Sequence, residues 1–344
     1  MDLQAYFKKF HNNIKLNSGT KDELREKRDI LIKILRDNDK IPAFDEFSQG
    51  SYGMFLGNEP VDDREYDIDV GLRFNVEQCD YEPLELKNAI YEVLENHTDY
   101  GAEVKKPCVT VTYKKGGEKA FHVDLVSYAY EDKDDHESQM YLAHGKNSSS
   151  EEDVRWDKAD PVALVDHIKN GIENKEDRDQ FRRIVRYLKR WKNIKFNKSG
   201  HSEPPSIGIT LLVQNEFSPC AGDDLTALLN SVENIINKFQ FSEYGENDRA
   251  LYTISCSMPC DLRFEPGNDA FEKMSKAQMT DFKDKIEKMY SDLEKVQAEA
   301  DLIKQCKRLR KIFGDDFEVP EEENISKQQR SFVPRSTASG KDND

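Results

Sequence analysis

Period-two alternation marks the first third of the chain. From Tyr66 to Phe74, the apolar Ile68, Val70, Leu72 and Phe74 share one face, and Asp67, Asp69, Gly71 and Arg73 share the other. That pattern predicts a half-buried strand. Cys108 to Tyr113 alternates in the same way. Phe121 to Val126 sets Phe121, Val123 and Leu125 against His122 and Asp124. Lys115-Gly116-Gly117 between these two runs predicts a hairpin. Residues 44–49 form a further short strand candidate that leads into Gly50-Ser51. Helical periodicity interleaves with the strands. Thr20-x-x-Glu23 reads as a capping box for a helix with Leu24, Leu31, Ile32 and Leu35 on one side. Pro83 sits in the first turn of another, whose core side carries Ala89, Ile90, Val93 and Leu94.

After residue 130 the texture changes. EDKDDHES and GKNSSSEEDVRWDKAD read as polar loops, and from Asp160 onward the chain reads as helices. Asp160-Pro161 is an N-cap and first-turn pair, and Gly171 ends that helix. Residues 176–196 predict a long amphipathic helix with Phe181, Ile184, Val185, Leu188 and Trp191 inward. Ser206 caps another that runs to about Phe217, and Asp223 or Asp224 starts a third. The stretch 268–313 is helical and heavily charged, and the acidic, polar residues 315–344 predict a disordered tail. The layout is α+β: an N-terminal part over 1–155, including the N-terminal helix, and a helical part over 156–314.

Composition narrows the function classes. The chain has 344 residues and can bury a core at 37% hydrophobic content. No apolar run approaches the roughly 20 residues that a membrane span needs. MDLQAYFKKFHNN lacks the apolar region of a signal peptide. Cys79, Cys108, Cys220, Cys256, Cys260 and Cys306 are scattered, so reduced thiols in a cytoplasm are expected. Cys256 and Cys260 have metal-ligand spacing but no second pair nearby, which favours packing in a core. The net charge of −16 disfavours a long polynucleotide partner unless basic residues are concentrated locally.

Two carboxylates inside an otherwise apolar strand require a reason. Asp67 and Asp69 lie side by side on one face, and Asp124 lies on the polar face of another strand. If those strands are neighbours, three anions converge, which is costly without a cation among them. Hard oxygen ligands suit Mg²⁺ or Mn²⁺. Two such ions about 4 Å apart make the clamp used in phosphoryl and nucleotidyl transfer. Gly50-Ser51 fits the same chemistry as a backbone anion site, with MFLGN as the first turn of a helix. Arg182, Arg183, Arg186, Lys189, Arg190 and Lys192 concentrate positive charge in one helix of an acidic protein. Arg183 and Arg190 read as a solvated face, whereas Lys189 is assigned to a triphosphate as a point charge. Ser206 reads either as a plain cap or as a second contact to that tail.

At these residues the chain resembles the DNA polymerase β-like nucleotidyltransferase superfamily, through Gly50-Ser51, Asp67-Ile68-Asp69 and Asp124 in FHVDLV. QGSY, EYDIDVGLRF, and RYLKRWK followed by PPSIG look more closely like the bacterial cGAS/DncV-like nucleotidyltransferases (CD-NTases), over about residues 20–240. The resemblance implies a mixed sheet packed against a C-terminal helical bundle, with the active site between them. It implies a Mg²⁺-dependent synthase that joins NTPs, ATP and GTP foremost, into a cyclic di- or trinucleotide and releases pyrophosphate. It further implies a product-activated effector protein in anti-phage (CBASS) defence. Asp67, Asp69 and Asp124 would be catalytic and metal-binding; Gly50, Ser51, Lys189 and Ser206 would hold the phosphates. One departure is Ile207, where some relatives carry an aromatic that stacks on the base. The alternatives are a nucleotidyltransferase acting on RNA or a protein side chain, and a catalytically silent nucleotide sensor.

Overall fold

The computed structural model describes residues 2–61, 66–115, 118–197, 202–259 and 268–321. The predicted hairpin turn at Gly116-Gly117, Cys260 and most of the predicted tail lie outside them.

The chain begins with helices α1 (Leu3–Ile14) and α2 (Ser18–Arg36), then strand β1 (Phe44–Ser48) and a single helical turn, α3 (Gly50–Gly53). There follow β2 (Tyr66–Glu77), α4 (Pro83–Leu94), β3 (Ala102–Val104), β4 (Val109–Lys115), β5 (Glu118–Tyr130), β6 (Met140–His144) and β7 (Arg155–Ala159). The remainder is α5 (Pro161–Asn170), α6 (Lys175–Lys195), α7 (Ser206–Glu216), α8 (Asp224–Ile236), β8 (Gln240–Tyr244), β9 (Ala250–Thr253), α9 (Lys276–Gln297) and α10 (Leu302–Phe313).

The sheet runs β1-β2-β5-β4-β3, with β6 on β5 and β7 on β6. β2 and β5 are parallel and the other pairs antiparallel, so the sheet is mixed. On its apolar face Ile68, Val70, Leu72 and Phe74 pack with Val123 and Leu125 under α2 and α4, which contribute Leu24, Leu31, Leu35, Leu86, Ile90 and Leu94. The opposite face carries Asp67, Asp69 and Asp124, with the polar His122 and Arg73 on the same side. Further along it, the Phe47 ring occupies the space that a side chain on Gly71 would need, and Cys108, Val126, Tyr128 and Ala159 close over the rest. A second core gathers the helices. Phe181, Ile184, Val185, Leu188 and Trp191 of α6 point into it, and α1 adds Tyr6, Phe7, Phe10 and Ile14.

Local signals explain most boundaries. Asp160 caps α5, its carboxylate accepting from the Ala163 amide at 3.2 Å, and Asp223 caps α8. Other expectations need correction. The cap of α2 is Asn17, three residues ahead of Thr20, because its side chain reaches the Thr20 amide at 2.9 Å. The turn after β1 is GSYG itself; MFLGN leaves it through Phe55, in the left-handed region at φ 58°. The second stretch expected as loop contains β7, because Ala159 and its neighbours pair with β6 at the sheet edge. The helical region also contains the β8–β9 hairpin, and 268–313 is two helices broken at 298–301. Among the described residues no helix is long and apolar enough to cross a membrane.

Candidate active site

β2 and β5 are neighbours, and their register sets Asp69 directly beside Asp124 and Asp67 beside His122. The three carboxylates therefore stand on one face of two adjoining strands. Asp67 is exposed, whereas Asp69 and Asp124 are half-buried. Asp124 is held from the next strand, since the Thr110 hydroxyl donates to its Oδ1 at 2.5 Å. Burial, then Asp124 and Asp67, push the Asp69 carboxyl up to about 7, against the opposing pull of Lys189.

The α3 turn meets this cluster at Gly50. Gly50 has φ +59°, and a Cβ there would lie 1.9 Å from Asp69 Oδ2, so only glycine lets the turn approach. The Gln49 amide donates to the Asp69 carbonyl at 3.2 Å, and the Tyr128 hydroxyl fixes the Gln49 side chain at 3.0 Å.

A cleft of about 390 Å³ opens here. Gly50, Ser51, Asp67 and Asp69 line one side, and Lys189, Lys192 and Ser206 line the α6–α7 side. Asp124 is beside Asp69 but does not itself line the cleft. Lys189 is buried and donates to the Leu56 carbonyl at 3.0 Å. Burial, then Lys192 and Arg186, hold its ammonium down at about 7, which Asp69 partly offsets. Ser206 is not a cap. Pro205 holds the cap position without a side-chain bond, and the Ser206 hydroxyl accepts from Lys192 Nζ at 2.9 Å.

Arg183 and Arg190 are not a solvated face. Arg183 is paired in two-pronged fashion with the fully buried Asp224, at 2.7 and 2.8 Å. Arg190 is 2% exposed, donates to the Glu59 carbonyl and pairs with Asp316 at 3.3 Å. Arg186 donates to the carbonyls of Gly57 and Phe55. The helix thus holds the backbone of the 55–59 loop, which walls the cleft.

Lys192 was the site residue within reach of sequence reasoning, because it lies one turn beyond Lys189. Asn58, Glu203 and Thr210 also line the cleft, and no periodic signal marks them.

The donor set fits divalent cations. Three hard carboxylates stand together on one face, and among the described residues Lys189 counters the charge on Asp69. They form an open row rather than a tight cage. Among the described residues the trio with ligand atoms all within 4.8 Å is Glu77, Cys79 and Asp80, two of them exposed, at the other end of β2.

Residues 44–128 match the family model for the nucleotidyltransferase domain of DncV-like cyclic GMP-AMP synthases. The chain is similar to a cyclic GMP-AMP synthase of Escherichia albertii, 29% identical over 210 residues, covering 58% of this chain and 43% of that protein. It is 25% identical over 212 residues to a c-di-GMP synthase of Roseivirga ehrenbergii, covering 56% of this chain and 53% of the other. The alignments thus span about half the length of these relatives. Among solved structures, Vibrio cholerae DncV with a linear pppA(3′,5′)pG intermediate superposes with a TM-score of 0.67 at 16% identity, covering 89% of this chain and 93% of that one. The Bradyrhizobium diazoefficiens CD-NTase CdnG with GTP gives 0.68 at 16%, covering 92% and 96%. These likenesses establish the α+β fold across both cores.

Proposed function

We propose that the chain, whose residues 44–128 match the DncV-like nucleotidyltransferase domain, is a cGAS/DncV-like cyclic oligonucleotide synthase. It joins NTPs, ATP and GTP foremost, into a cyclic di- or trinucleotide and releases pyrophosphate. The observation that carries this reading is the Asp69–Asp124 register beside the Gly50 approach, facing Lys189 across one cleft.

Mg²⁺ or Mn²⁺, when bound, activates the attacking 2′- or 3′-hydroxyl and neutralises the triphosphate. Asp67 and Asp69 would hold both ions, and Asp124, oriented by Thr110, would complete one of the two sites. Ser51 and the backbone of the 50–53 turn would bind the donor phosphates. Burial and the neighbouring Lys192 and Arg186 lower the Lys189 ammonium to about 7 in the free cleft. An anionic tail beside it favours the charged form, which neutralises the leaving group. Lys192 would add a second charge and hold Ser206 in place. The acceptor hydroxyl loses its proton to solvent and forms a bond to the α-phosphorus, the α–β bridging P–O bond breaks, and pyrophosphate departs with that electron pair. A second such step closes the ring.

In its cellular setting the product would activate an effector protein that arrests or kills the phage-infected cell. The Asp69→Asn variant keeps the shape of the side chain and removes its charge. It should remain folded, with the wild-type thermal midpoint or a higher one, and release pyrophosphate from NTPs at least about a hundredfold more slowly. Wild-type turnover by that variant would remove the metal assignment. The sequence support for an RNA-directed role weakens, since Arg183 and Arg190 are paired with Asp224 and Asp316.

A further inference from the structure

A second cavity, of about 110 Å³, adjoins the 50–53 turn and shares only Tyr66 with the catalytic cleft. Four of its nine lining residues are cations: Lys15, Lys21, Arg25 and Arg186. None is acidic. That concentration is unusual in a chain of net charge −16.

The charges are barely compensated. Arg25 meets Asp22 at 3.5 Å where both are exposed, a contact worth little. Lys15 donates to the neutral Asn12 side chain at 2.8 Å. Arg186 donates to backbone carbonyls and to His11 Nε2 at 3.3 Å. Among the described residues no carboxylate pairs with Lys15, Lys21 or Arg186. His11 reports the resulting field: burial, then Arg186, Lys15 and Arg183, hold its imidazole down at about 3 despite Asp224. The Tyr66 hydroxyl is buried at the wall without a hydrogen-bond partner; Ser51 is near it but out of bonding geometry.

Uncompensated cations around a small cavity with a spare hydroxyl define an oxyanion site. At about 30 Å³ per water, the space suits a phosphate or pyrophosphate and is too small for a nucleoside. Phe55, 56% exposed and within 5.1 Å of Lys169 Nζ, forms part of the lining. A nucleotide could insert its phosphate and rest its base there.

We propose that this cavity binds a phosphoryl oxyanion independently of the catalytic cleft, and that the bound anion braces the 50–53 turn. One of its cations already grips that turn, and another grips the loop that follows it. Arg25 Nε donates to the Tyr52 hydroxyl at 2.7 Å, and Arg186 holds the carbonyls of Phe55 and Gly57. An anion tying Lys21 and Arg25 of α2 to Arg186 of α6 would clamp the turn that carries Gly50 and Ser51. The consequence for catalysis rests on the function proposed above; the binding does not.

Titration calorimetry with sodium pyrophosphate in EDTA tests the site with turnover abolished. Wild type and Asp69→Asn are expected to bind alike. The double variant Lys21→Ala/Arg25→Ala, which alters two exposed helix positions, is expected to unfold at the wild-type temperature and to bind at least about tenfold more weakly. Hydrogen exchange over residues 50–60 is expected to slow on adding pyrophosphate to wild type and not to the double variant. Equal binding by the double variant, loss of binding in Lys189→Ala instead, or no binding at millimolar concentration would overturn the site. Unchanged exchange with pyrophosphate bound would overturn the bracing. ATP under the same conditions separates the sources. Binding tighter than pyrophosphate, with the excess removed by Phe55→Ala, identifies a nucleotide phosphate; equal binding identifies the free anion.

Discussion

Gly50 ties the backbone to the chemistry. Its positive φ and the 1.9 Å approach of a hypothetical Cβ to Asp69 Oδ2 leave no room for alanine. Gly50→Ala should displace either the turn or the carboxylate, and a shift of about 1 Å should cost roughly a hundredfold in turnover. The check is NTP turnover together with near-UV circular dichroism, which should stay native. Unimpaired turnover would mean that the turn does not position the site. Gly50, Ser51, Asp67 and Asp69 were legible in the sequence because strand period two and a Gly-Ser step fix their local geometry. Asp124 needed one more fact, the β2–β5 pairing, which alternation cannot supply. Ser206 looked like a cap because serine at a helix start usually is one. Lys192 claims its hydroxyl instead.

At the scale of elements, α6 shows where pattern reading stops. Its apolar stripe was plain, and all five residues expected inward are buried. Its cations looked like solvent-facing charge because partners such as Asp224, 41 positions from Arg183, are invisible to a local window. Tyr187 and Gln180 also donate to Asp224, at 2.9 and 3.0 Å, so its carboxylate is held below the ordinary range despite burial. Arg183→Ala leaves that charge without its cation and should cost about 3–5 kcal/mol, read as a lowered denaturant midpoint. A loss under about 1 kcal/mol would show that the remaining donors suffice. The elements missed were short or edge elements. β8 is largely exposed on both faces, so no alternation marks it, and β7 lies in a charged stretch where pairing with β6 decides the outcome.

The whole molecule couples charge to stability. His11 lies among α6 cations and is neutral in the fold, with its imidazole held at about 3 against 6.5 in the unfolded chain. Below about pH 6.5 the unfolded chain takes up a proton that the fold refuses. Stability from this residue is therefore complete above that pH and falls as pH drops toward 3. Denaturant unfolding at pH 7 and pH 5 should show the loss, and His11→Gln should reduce the slope; an identical slope would exclude His11 as its source. With a net charge of −16 and the α6 arginines engaged internally, long RNA should bind weakly and detach readily in salt. The charge balance was readable from composition alone. The seating of α1 in the helical core was not, because its amphipathic face does not name the partner it covers.

Ring closure by the Asp67, Asp69 and Asp124 site can be read from the product it leaves. Incubation with the four NTPs and Mg²⁺, followed by phosphatase treatment and mass spectrometry, tests it most directly. A phosphatase-resistant cyclic product is expected, with one pyrophosphate released per nucleotide incorporated. A ladder of linear, phosphatase-sensitive oligomers, or pyrophosphate release one short of the nucleotides joined, would contradict it.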